Sequence, residues 1–173
     1  MGMRQLLLAV LFLPSSFAYG TLPAPREHRL RLFNTHTLER IDVVYRRGGV
    51  YDREALSKLD YFLRDWRVGE VKHYDPRLFD LLSELQAGVD KPGAELHIIC
   101  GYRAPVTNQR LRSRSSGVGG NSLHMKAAAI DIRLPGVRTS RLRDTALALK
   151  RGGVGYYAGS DFIHVDTGRV RRW

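Results

Sequence analysis

The sequence predicts an α+β fold in which helices precede an antiparallel sheet. Three observations carry this expectation. Hydrophobic residues make up 43% and charged residues 26% of 173, a globular composition sized for one domain and too apolar for a disordered chain. Apolar residues recur at helical spacing through 53–66 and 76–88. Short alternating or β-branched runs bounded by glycine and turn residues dominate from residue 96 onward, and no internal repeat interrupts them.

Residues 1–18 (MGMRQLLLAVLFLPSSFA) read as an export signal. Arg4 supplies the positive start, Leu6 to Leu13 is an unbroken apolar run, and Ser16-Phe17-Ala18 puts small residues where a signal peptidase reads them. Cleavage is expected after Ala18, by the general secretory route, since this segment holds no Arg-Arg pair. The run is far shorter than the roughly 20 residues that span a bilayer. An uncleaved N-terminal anchor is the alternative. The expected location is the periplasm, with no transmembrane span in the mature form. Residues 19–28, with Pro23 and Pro25, read as a linker, and 29–173 as the folded domain.

Within that domain Arg29 to Asn34 and Thr37 to Tyr45 alternate and predict a hairpin turning near Asn34-Thr35-His36. Asp52 caps a helix over 53–66, whose stripe is Ala55, Leu59, Phe62 and Trp66. Asp75 and Pro76 are an N-cap and first-turn pair for a helix carrying Leu78, Leu81, Leu82 and Leu85 and stopped by Gly88. Leu96 to Cys100 predicts a strand, and Pro105 to Arg114 a short polar helix. Ser115 to Asn121 predicts a Gly- and Ser-rich loop, and Ala128 to Leu134 a strand. Thr139 to Lys150 predicts a helix ended by Gly152-Gly153. Val154 to Tyr157 and Phe162 to Asp166 predict strands joined by Ala158-Gly159-Ser160.

Lys and Arg number 28 against 17 Asp and Glu, a net charge of +11 with a pI near 10.3. Such a surface favours anionic partners. Export turns that expectation from nucleic acid toward an anionic cell-wall surface, and no nucleic-acid-binding motif is present. A single cysteine excludes an intramolecular disulfide and any zinc finger built on paired cysteines. Cys100 ends an apolar run and reads as an inert thiol buried in a strand.

Polar residues at odd places in the strands point to chemistry. His124 and Asp131 flank the start of one strand, and His164 sits inside Phe162-Ile163-His164-Val165. Burying imidazole and carboxylate costs several kcal/mol unless they are paired or ligate a metal. Two His and one Asp suit a catalytic zinc, which keeps a further position for water. A spacing of seven works when His124 lies in the loop, Asp131 in the strand returning beside it, and His164 on the neighbouring strand. Asp161, three residues before His164, is a candidate carboxylate for proton transfer. Asp166 is a second, or instead orients His164. Arg103 is the candidate cation for a developing oxyanion. The plain alternative makes His124 a loop residue, Asp131 a sheet-edge charge and His164 a satisfied core histidine.

The order of the pieces distinguishes these readings. Gly101-Tyr102-Arg103 precedes Thr107-Asn108. Ser122-x-His124-x6-Asp131 follows, then Gly152-Gly153-Val154-Gly155-Tyr156-Tyr157 and Phe162-Ile163-His164-Val165-Asp166-Thr167-Gly168. From about Leu30 to Trp173 this resembles the YcbK-like murein endopeptidases (the murein endopeptidase K family). They are zinc peptidases related to D-Ala-D-Ala carboxypeptidases and dipeptidases, with a fold shared by lysostaphin and hedgehog. The resemblance implies a small antiparallel sheet with helices packed on one side. It implies one zinc ion held by His124, Asp131 and His164, an arginine at Arg103, and stem-peptide crosslinks of peptidoglycan as substrate. Two departures stand out. Ala127 replaces the usual glycine of H-x-x-G-x-A-x-D, and Asp161 stands where many relatives carry Glu. Ala127 motivates the alternative of a catalytically weak or inactive wall-binding domain of the same fold, because positive φ there would strain an alanine.

Overall fold

A computed structural model describes residues 26–115 and 117–173. The export signal at 1–18 and all but the end of the linker lie outside the described residues. Among the described residues no helix is long and apolar enough to cross a membrane.

The chain opens with β1 (Glu27–Asn34), β2 (Arg40–Arg47) and β3 (Val50–Tyr51), followed by α1 (Arg53–Phe62) and α2 (Pro76–Gly88). Then come β4 (Glu95–Cys100), α3 (Pro105–Arg112), a 3-10 turn (Leu123–Lys126), β5 (Ala129–Arg133) and α4 (Thr139–Leu149). It closes with β6 (Gly153–Tyr157), β7 (Phe162–Asp166) and β8 (Arg171–Arg172). All eight strands form one sheet in the order β3-β2-β1-β4-β5-β7-β6-β8, an α+β arrangement.

The N-terminal hairpin forms, with Leu30 opposite Val43 and Leu32 opposite Ile41. Its first strand starts at Glu27, so the last two residues expected in the linker are already paired. Most ladders are antiparallel. Two are parallel, β1 with β4 and β6 with β8, so the sheet is mixed. The first follows from the long crossover through α1 and α2, which returns the chain in the direction of β1.

The helix caps are as expected. Asp52 accepts from the Ala55 amide at 3.0 Å and Asp75 from the Arg77 amide at 3.0 Å, with Pro76 in the first turn of α2. The first helix is shorter than its apolar stripe. The Leu63 carbonyl accepts from the Tyr102 amide at 2.8 Å, and Asp65 accepts from the Ala104 amide at 2.9 Å. These tertiary bonds turn the chain, so Trp66 leaves the stripe, becomes exposed and stacks on His36. At the end of α4, Lys150 adopts a left-handed conformation and stops the helix before the expected Gly152-Gly153.

Strand alternation gives the sheet two unlike sides. Leu30, Leu32, Leu96, Ile98, Ile130, Ile132, Ile163 and Val165 are fully buried in one core with the leucines of α2 and residues of α1 and α4. Each such side chain stabilises the fold by about 1.5–3 kcal/mol. The alternate positions, Asp131 on β5, His164 and Asp166 on β7, and Gly153 and Gly155 on β6, face the other way. That second side carries the polar cluster.

Candidate metal centre

Register across the strands assembles the cluster. Asp131 pairs with His164 on β7, and His164 with Gly155 on β6. On the other flank an irregularity between Ile98 and Cys100 brings Cys100 opposite Asp131. His124 arrives from the 3-10 turn before β5, where Ser122 caps the turn by accepting from the His124 amide. His124, Asp131 and His164 are all buried.

The hydrogen bonds fix which ring nitrogens carry protons. His124 Nδ1 lies 2.8 Å from the Gly101 carbonyl oxygen, which can only accept. Its Nε2 therefore presents a lone pair. His164 Nε2 lies 3.0 Å from Asp166 Oδ2, so its Nδ1 presents a lone pair. His124 Nε2, His164 Nδ1 and Asp131 Oδ1 then form a triangle with sides of 3.1, 2.9 and 3.1 Å. With neutral imidazoles, three acceptors face one another with no hydrogen between them. A cation resolves that conflict. Tetrahedral zinc with bonds of about 2.0–2.1 Å sets its donors about 3.3 Å apart, close to the spacing observed, so the residues fit this metal. Burial opposes the charged form of Asp131, yet the two histidines hold its carboxyl well below the usual range. Burial also opposes imidazolium at His124, but Asp131 and Cys100 outweigh it and raise that pKa. The cluster draws positive charge.

Asp166 is completely enclosed. Its Oδ1 accepts from the amides of Gly153 (2.9 Å) and Gly168 (2.8 Å), and Arg171 binds both oxygens at 3.2 and 2.8 Å. Burial raises its pKa, but His164, Arg171 and the two amides outweigh it and hold the carboxyl well below the ordinary range. With every lone pair engaged, Asp166 is arranged to orient His164.

The glycines of the Gly-Gly-Val-Gly run make room for these groups. A β-carbon at Gly153 would stand 2.5 Å from Asp166 Oδ2, and one at Gly155 would stand 2.7 Å from the indole of Trp173. Trp173 occupies the space beside His164, ring centres 5.1 Å apart, and donates from Nε1 to the Tyr157 hydroxyl at 2.9 Å. Ala127 closes the 3-10 turn at φ 49° and ψ 41°, so the position usually held by glycine does require a left-handed residue.

The cluster opens into a cleft of about 690 Å³, within the range of ligand sites. The cleft is lined by Arg103, residues 117–119 and 121–123, and the aromatic residues Tyr157, Phe162 and Trp173. Arg103 donates to Asn108 Oδ1 at 3.3 Å and to Cys100 Sγ at 3.4 Å, while its Nε is buried without a partner. Asp161 is not among the lining residues. Its side chain is exposed, accepts from the Thr139 hydroxyl and lies 3.6 Å from Arg133.

Sequence reasoning missed three participants. Cys100, read as an inert strand thiol, is half-buried, and its sulfur lies within 4.8 Å of donor atoms of His124 and Asp131. Asn108 bridges Arg103 to the Gly119 carbonyl at 3.2 Å. Trp173 lies five residues past the Phe162–Gly168 motif and belongs to no motif itself, and the glycine at 155 hints that something large approaches the strand there.

A family profile described as peptidoglycan L,D-endopeptidase MepK matches residues 22–173. The peptidoglycan L,D-endopeptidase MepK of Escherichia coli (strain K12) is 44% identical over 158 residues, covering 90% of this chain and 85% of that protein. The probable peptidoglycan L,D-endopeptidase MepK of Haemophilus influenzae is 41% identical over 167 residues, covering 96% and 89%. No solved structure gives a significant match. By both the profile and these relatives, the chain belongs to the peptidoglycan L,D-endopeptidase MepK family.

Proposed function

We propose that this chain is an exported zinc endopeptidase that cuts L,D peptide crosslinks of peptidoglycan. The observation that carries the reading is the triangle of facing lone pairs on His124, Asp131 and His164. Zinc held there would supply a Lewis acid and a water of lowered pKa.

The chain's own residues supply the rest. His124, Asp131 and His164 hold the ion, and Asp166 keeps His164 in the tautomer that leaves Nδ1 free. Arg103, braced by Asn108 and Cys100, lines the cleft and is the cation available to a carbonyl oxygen gaining charge. Asp161 is the carboxylate at the right spacing to take a proton. It must first give up Thr139 and Arg133, contacts that are weak for an exposed group.

The position of Asp161 outside the cleft also favours a second reading, a wall-binding domain of the same fold with little catalysis. One experiment separates the two. Purified protein is loaded with zinc, incubated with soluble crosslinked muropeptide dimers, and the products are weighed by mass spectrometry. Monomers appearing in a zinc-dependent way support the endopeptidase. One zinc bound per chain with no cleavage supports the binder.

A further inference from the structure

We propose that the exposed arginines at the end of α3 and in the turn after it dock the protein on the carboxylates of intact peptidoglycan, outside the cleft. This rests on the peptidoglycan reading above and names the surface that engages the polymer.

The charge on this chain is sorted by place. From Leu96 to Ile130 there is no Asp or Glu, while Arg103, Arg110, Arg112, Arg114 and Lys126 all fall in that stretch. Elsewhere acidic residues are interspersed and many arginines are matched, as Arg29 with Asp42, Arg40 with Glu95, Arg64 with Glu39, Arg141 with Asp90 and Arg151 with Glu84. Among the described residues Arg110, Arg112 and Arg114 are exposed, and no carboxylate lies within 4.0 Å of them. One cation satisfies the carboxyl end of an eight-residue helix. Three exceed that need.

Helix α3 is tied to the lining of the cleft. Asn108, buried on α3, joins Arg103 to the backbone of Gly119, and the Arg112 guanidinium lies along Gly120. Arg110 and Arg114, four residues apart, fall on one side at helical geometry and are about 6 Å apart along the axis, less than the screening length of about 8 Å at physiological salt, while Arg112 reaches toward Gly120 and adds its charge at the same end of α3. Stem peptides repeat along a glycan strand and carry free carboxylates, the group a guanidinium binds with two parallel hydrogen bonds. Several weak contacts to one polymer multiply, and they hold the cleft near neighbouring crosslinks.

The test uses the triple variant Arg110→Gln/Arg112→Gln/Arg114→Gln of the full protein. Metal-free protein is sedimented with insoluble peptidoglycan, native or with its carboxyls amidated, at low and at physiological salt. The expected result is binding about tenfold weaker for the variant, a similar loss for the wild type on amidated polymer, and a flattened salt dependence. Turnover of a soluble crosslinked dimer stays within about twofold, as for exposed substitutions that leave the fold intact. Unchanged binding by the variant, or equal binding to amidated polymer, overturns the proposal. So does tighter binding to a DNA duplex than to peptidoglycan. If the triple variant fails to fold, Arg114→Gln, beyond the helix, is read in the same assay and must weaken binding. If the wild type cuts no soluble dimer, the endopeptidase reading fails while sedimentation still decides the docking.

Discussion

Replacing Asp166 by Asn probes the link between an enclosed carboxylate and the edge of His164 that faces the proposed metal site. The amides of Gly153 and Gly168 can only donate, so the asparagine oxygen must take the place of Oδ1. Its NH2 then occupies the place of Oδ2, facing His164 Nε2 at 3.0 Å and Arg171 at 2.8 Å, both donors in the native protein. The imidazole escapes the clash by moving its proton to Nδ1, and Nε2 becomes the acceptor. That places a hydrogen on the nitrogen that faces His124 and Asp131. Partners behind a metal ligand are typically worth 10–100-fold in metal affinity, about 1.4–2.8 kcal/mol, and that loss is expected here. The missing ionic hydrogen bonds cost the metal-free protein a further ~1.5–3 kcal/mol of stability. Competitive chelator titration reads the zinc affinity, and nitrogen NMR of the metal-free protein at mildly basic pH reads the His164 tautomer. Native zinc affinity with the proton still on Nε2 would refute the reasoning.

His164→Ala should abolish zinc uptake and cleavage and leave a folded protein, seen by calorimetry and circular dichroism; full activity with one zinc bound would place the metal elsewhere. Ala127→Gly relieves a left-handed residue worth about 1–2 kcal/mol and gives up a buried methyl worth about 0.8 kcal/mol. The expected result is a melting temperature unchanged or raised by up to about 4 °C, and a clear drop would show that the turn relaxes differently. The folded carboxyl of Asp166 titrates below its unfolded value of about 3.9. Its stabilisation is therefore complete above about pH 5 and is lost as pH falls through the folded value. Acid unfolding should steepen below pH ~4 in the wild type and less so in Asp166→Asn, as followed by circular dichroism.

Where local pattern and tertiary demand agreed, the fold was legible from the residues. β7 begins and ends where the apolar run Phe162 to Asp166 does, and both aspartate caps open their helices. The loop-strand-strand placement of His124, Asp131 and His164 followed from the cost of burying polar groups. The misses have one cause. The amides of Tyr102 and Ala104 are distant in sequence from the end of α1, and no periodicity within 53–66 registers them. The two-residue strands β3 and β8 are too short to show alternation. Cys100 sits beside the cluster because of a ladder irregularity, which a side-chain pattern does not record. Spacing alone made Asp161 a candidate base, and spacing cannot say that Thr139 and Arg133 hold it outside the cleft.

The alternation along β5 and β7 has a consequence for tolerance to change. Ile130 and Ile132 anchor the hydrophobic interior through the same five-residue ribbon whose middle member is Asp131, and Ile163 and Val165 bracket His164 likewise. Trimming a methyl from any of these four isoleucine and valine positions leaves a void that the surroundings fill only in part, by shifting the backbone that spaces the donors. Ion selectivity answers to such shifts. On the proposed zinc reading, drift in the greasy layer is felt at the bound ion, and the tightness of that binding becomes a gauge of how well the hidden side is packed.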